Sequence, residues 1–181
     1  MYIALRLKKE NIAEYLLYMW QTEDLIRANR LDLDTLRQNY LTKFQATGKS
    51  AEELEKWYAD LINMMRSEGI QESGHLQINK NVISWLTDLH QSLLHSTKFP
   101  FYTAAYYKAL PYIVELRNKG DRKDIPELEN CFDALYGVMM LRLQQKPVNE
   151  ETARAVADIS KMLGMLSEYY KQEKAGTLKL D

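Results

Sequence analysis

The sequence predicts an all-α fold, and three observations carry that expectation. Apolar residues recur at the helical period along most of the chain, as in Ile12, Leu16, Met19 and Ile26, or Val156, Ile159, Leu163, Leu166 and Tyr170. Seven glycines and four prolines among 181 residues are too few for a turn-rich β fold. Several of those that do occur stand where helices would stop or start: Gly48, Gly69, Pro100, Pro126 and Pro147. The expected architecture is a single-domain bundle of six to seven helices over residues 1–181, with the Ser73–Ser96 helix central. A hydrophobic content of 46% suffices for one buried core, and no Pro/Gly/Ser-rich linker divides the chain.

Tyr2 to Leu7 reads as a short apolar lead-in, followed by a helix from about Lys9 to Arg30. Glu23, Arg27 and Arg30 fall on its apolar face, and the i, i+4 spacing of Glu23 and Arg27 predicts an intrahelical ion pair rather than a buried polar site. Asp32 and Asp34 are candidate caps for a shorter helix, about Thr35 to Gln45. After Gly48, Ser50 and Glu53 have capping-box spacing and open a helix to about Glu68, ended by Gly69 as its left-handed C′ residue. That helix turns Leu54, Trp57, Tyr58, Leu61, Ile62, Met64 and Met65 to one face.

The Ser73–Ser96 helix carries two adjoining apolar stripes. His75, Ile78, Val82, Trp85, Leu86, Leu89 and Leu93 form one, and Leu76, Ile83, His90 and Leu94 the other. Only Lys80, Ser84, Asp88, Gln91 and His95 remain as a polar face, so neighbours on two sides are expected, with Glu72 or Ser73 as cap. Lys98-Phe99-Pro100 makes a turn. The next helix, about Phe101 to Lys119, is rich in tyrosine, and Pro111 predicts a kink near Tyr107 or a break into two pieces. A charged loop, Asn118 to Asp124, leads to a helix capped by Asp124, running to about Gln145 and burying Leu128, Cys131, Phe132, Leu135 and Met139. Asn149, Glu150 and Glu151 start the last helix, after which the tail from Ala175 is expected to fray.

Composition excludes several function classes. With 24 basic and 25 acidic residues there is no global field to draw the chain to nucleic acid or an anionic membrane. The small basic cluster Arg117, Lys119, Arg122 and Lys123 is diluted by Asp121 and Asp124. A single cysteine, Cys131, excludes an intramolecular disulfide and points to a reduced, cytoplasmic setting. No apolar run approaches the roughly 20 residues of a membrane span, and the N-terminus lacks signal-peptide features.

Chemistry-bearing residues concentrate between Met64 and Ser96, which holds all three histidines. Glu72 and His75 have Glu-x-x-His spacing, and with Glu68 they form the candidate ligand-binding set. A di-metal bundle needs two such motifs and further glutamates, and this chain has one, so no metal and no cofactor is expected. Cys131 sits in an apolar stripe without a basic neighbour in its turn, and no phosphate-binding or nucleophile motif occurs, so no catalytic residue is assigned.

The phrases MMRSEGIQESGHLQ and AAYYKALPYIVELR, together with the chain length, resemble an uncharacterised bacterial all-helical family of about 180 residues, a domain of unknown function. The resemblance implies one helical domain and no assigned activity. Twelve tyrosines suit amphipathic packing or a binding surface. The reading that results is a cytoplasmic binding or interaction module, for a protein partner or a small ligand, with a homodimer expected. Its rival is a metal-assisted or acid/base enzyme sited near Glu68, Glu72 and His75, and a third reading is a helical transcription regulator.

Overall fold

The computed structural model describes residues 1–44, 47–119 and 125–180. Among them are eight α-helices and no strand: α1 (Tyr2–Glu10), α2 (Ile12–Ala28), α3 (Leu33–Asn39), α4 (Lys49–Ser67), α5 (Gln77–His95), α6 (Pro100–Lys119), α7 (Glu127–Leu143) and α8 (Glu150–Lys174), with a 3-10 turn at Leu41–Lys43. The apolar lead-in is thus a helix of its own. Asn11 separates it from α2, and its side chain accepts from the amides of Ala13 and Glu14 as an N-cap.

α8 packs along α6 and also touches α2, α5 and α7, while α5 rests on α6, α7 and α8. Alanines 105 and 109, one turn apart on the buried side of α6, let it approach α8 closely around Tyr102 and Ile113. The periodic faces read from sequence are the buried ones: Ile12, Leu16, Met19 and Ile26 on α2, Tyr58, Leu61, Ile62 and Met65 on α4, and Val156, Ile159, Leu163, Leu166 and Tyr170 on α8. All but Val156 belong to one hydrophobic cluster.

Local signals held where their partners are local. Asp32 Oδ1 accepts from the Thr35 amide at 2.7 Å, and Asn149 Oδ1 does the same for Thr152 at 2.7 Å. Gly69, at φ +70°, closes a Schellman motif in which the Ile70 amide reaches Met65 O and the Gly69 amide reaches Arg66 O. The same motif ends α2, with Leu31 donating to Ile26 O and Arg30 to Arg27 O, but Arg30 and Leu31 hold φ +56° without being glycine.

Elsewhere tertiary contacts replaced the expected local ones. The capping box at α4 does not form: the N-cap is Gly48, Ser50 Oγ donates to Thr47 O at 2.9 Å, and Glu53 accepts from the Tyr2 hydroxyl, tying α1 to α4. α6 is not broken into two pieces: it runs uninterrupted through Pro111, which lies on its exposed side. The tail docks rather than frays: Ser96 Oγ donates to Leu180 O at 2.9 Å, and Leu178 and Leu180 pack on the core. α5 buries a narrower arc than its two stripes suggest, leaving Ile78 and Trp85 exposed, with Lys174 Nζ 5.1 Å from the Trp85 ring. Asp124, Arg122, Lys123, Gln45 and most of the charged loop lie outside the described residues.

Candidate functional site

The segment joining α4 to α5 is anchored on α2. Glu23, fully buried, accepts three hydrogen bonds there: from His75 Nδ1 at 2.6 Å, from the Leu76 amide at 3.0 Å and from Asn79 Nδ2 at 2.7 Å. Glu68 Oε2 accepts from the Gln77 amide at 2.7 Å. The start of α5 is therefore capped by two carboxylates from outside the helix, which its orphan amides and positive dipole end favour, and not by Glu72 or Ser73.

His75 stacks on Trp20, with ring centroids 4.1 Å apart and 15° between planes, and its Nε2 lies 3.8 Å from Asp133 Oδ1 on α7. Burial by itself would lower the pKa of the ring, but the Asp133 and Glu23 carboxylates outweigh it and raise the value to about 9. His75 is thus an imidazolium at neutral pH, with a carboxylate facing each nitrogen. The expected Glu23–Arg27 ion pair is absent. Arg27 pairs with Asp24 at 2.9 Å and donates to the Ile70 and Gly74 carbonyls, so it holds the other flank of the same segment.

The sequence candidates therefore have separate surroundings. His75 joins Glu23 and Asp133, Glu68 caps α5, and Glu72 lines a cleft with Arg27, Arg30 and Arg66. Among the described residues, no group of three His, Cys, Asp or Glu side chains is placed to hold a metal ion. Glu23 was visible in the sequence as a charge on an apolar face, but nothing in the sequence named its partner. Asp133, Asn79 and Trp20 carried no signal of their own.

His90, buried on α5, is tuned the other way. His90 Nδ1 lies 2.6 Å from the Tyr102 hydroxyl, and burial pulls its pKa down to about 4, so it is a neutral core residue. Cys131 is buried and its thiol is pushed up to about 12, which removes it as a nucleophile.

A different kind of feature runs along the outside of α6. Phe101, Tyr107 and Val114 are 80%, 63% and 49% exposed, and Ala104 and Pro111 are exposed beside them. At 100° per residue these five fall within an arc of roughly 140°, so they form one apolar stripe. Two charged residues, Lys108 and Glu115, fall within the same arc, and Lys108 is paired with Asp158 of α8 at 2.7 Å.

A family model described as Domain of unknown function (DUF4924) matches residues 1–177. The chain belongs to the DUF4924 family. No curated protein and no solved structure matches it. The DUF4924 match takes in Glu23, His75 and Asp133 as well as the α6 stripe, so the anchored segment and the apolar face both belong to the matched domain. Among the described residues of this DUF4924 chain, no helix is long and apolar enough to cross a membrane.

Proposed function

We propose that the protein is a cytoplasmic interaction module that pairs with a second copy of itself through the exposed face of α6. The observation that carries this reading is the unpartnered stripe of Phe101, Ala104, Tyr107, Pro111 and Val114. A contiguous apolar patch of this kind on a soluble chain marks an interaction surface, and aromatic residues are enriched in such surfaces. The cation within its arc, Lys108, is matched by Asp158 of the same chain, which reduces its repulsion toward a second copy of the face. An antiparallel pairing about a twofold axis near Tyr107 sets Phe101 of one copy toward Val114 of the other.

Sedimentation equilibrium tests this directly. A dimer is expected for the native chain, and a Phe101→Ser, Tyr107→Ser double variant should sediment as a monomer with unchanged helical circular dichroism. A native chain that stays monomeric at high concentration refutes the homodimer and leaves the α6 face to a different partner. The rival reading, a metal-assisted or acid/base enzyme around Glu68, Glu72 and His75, has less support, because a general base needs a free ring nitrogen and both nitrogens of His75 face carboxylates.

A further inference from the structure

Phe101, in the first turn of α6, is the most exposed large apolar side chain among the described residues. Toward the other end of the same helix, α6, α7 and α8 enclose a cleft of about 540 Å³. Tyr112, Glu115 and Leu116 line it from α6, and Val138, Leu141, Val156 and Ile159 give it an apolar wall on α7 and α8. Gly137 belongs to the same lining, and a Cβ placed there would meet nothing within 4 Å, so the α7 side of the cleft is open.

A twofold axis relates the exposed ring to this cleft. At 100° per residue, Tyr112, Glu115 and Leu116 lie within about 60° of Phe101 around α6, whereas Val114 marks the opposite edge of the apolar stripe. A twofold that sets two α6 helices antiparallel near Tyr107 carries the partner's Phe101 to the height of Ile113 and keeps it on its own edge. The cleft lies on that edge at that height.

Buried area and charge favour the same occupant. Two aromatics at about 150–250 Å² each, with Ala104, Pro111 and Val114, offer about 500 Å² per copy, against about 800 Å² in a standard interface. Seating Phe101 between α7 and α8 adds the cleft walls to that area. The Lys108–Asp158 pair and the Phe99–Tyr169 ring contact set α8 antiparallel to α6, so the start of α8 lies beside the end of α6. Lys98, three residues before Phe101, and Glu151, on the cleft lining, are both exposed, and neither makes an ion pair among the described residues. The same twofold brings these opposite charges to one end of the interface.

We propose that the cleft between α6, α7 and α8 receives Phe101 of a second copy, with Lys98 of that copy set against Glu151. The inference rests on the α6 pairing proposed above and assigns the place its most exposed ring takes up.

Sedimentation equilibrium of the full chain tests it. Gly137→Leu fills the cleft and raises helix propensity, so it should weaken the dimer at least about tenfold with unchanged helical circular dichroism. Lys98→Glu and Glu151→Lys should each weaken it about threefold or more, and the double variant should recover the native constant. A dimer that Phe101→Ser abolishes but Gly137→Leu leaves unchanged overturns the cleft assignment, keeps the α6 pairing and leaves the cleft to a small apolar molecule. A double charge swap no tighter than either single variant also overturns it. A native chain that stays monomeric overturns the pairing and the cleft assignment together.

Discussion

Glu23 Oε2 and His75 Nδ1 lie 2.6 Å apart although 52 residues separate them in the chain. A fully buried carboxylate on α2 thereby fixes the segment that leads into α5. Its other oxygen takes the Leu76 amide and Asn79 Nδ2, so one side chain joins two helices and caps one of them.

This pairing makes stability depend on pH. The folded-state pKa of His75, about 9, exceeds the ordinary value of 6.5. The stabilisation is then complete below about pH 6.5, declines above it and is gone once the pH has risen through 9. A shift of that size corresponds to at most about 3 kcal/mol, or a fall of about 5–10 °C in a chain of this length. Melting curves from pH 6 to 10 should show that fall in the native chain and a much smaller one in His75→Gln.

Glu23→Gln removes the charge while keeping a similar shape. The imidazolium then loses its closest counter-ion and the variant should be about 3–5 kcal/mol less stable, the cost of breaking a buried pair from one side. Proton NMR of the His75 ring should show its pKa falling from about 9 in the native chain. A pKa that stays put in the variant would assign the shift to Asp133 alone.

Arg30 occupies the left-handed position that glycine takes at the end of α4, with φ +56° against +70° at Gly69. Its side chain is exposed and makes no ion pair among the described residues. Arg30→Gly should therefore stabilise the chain, by about 1 kcal/mol, as urea denaturation would read it. Loss of stability would mean that the guanidinium contributes more at the end of α2 than its backbone strain costs.

The exposed stripe of α6 gives the opposite kind of prediction. Phe101→Ala touches no core contact of its own chain, so under monomeric conditions its stability should stay within about 0.5 kcal/mol of the native value. Tyr102→Ala, one residue on and fully buried, should cost about 3–5 kcal/mol by the same urea measurement.

The sequence by itself determined the helical class, the faces that go inward on α2, α4 and α8, the caps at Asp32 and Asn149 and the Schellman stop at Gly69. Each of these is set by residues within a turn or two of one another, so the local pattern holds the whole cause. Tertiary structure alone decided that Glu23 meets His75 rather than Arg27, that Glu53 serves Tyr2 rather than Ser50, and that Phe101 and Trp85 stay outside. Those outcomes depend on which helices become neighbours and at what register, and contacts between residues some 50 apart leave no periodic trace in the chain. A charge on an apolar face announces that a partner exists, but only the packing of α2 against the start of α5 brings that partner within hydrogen-bonding distance.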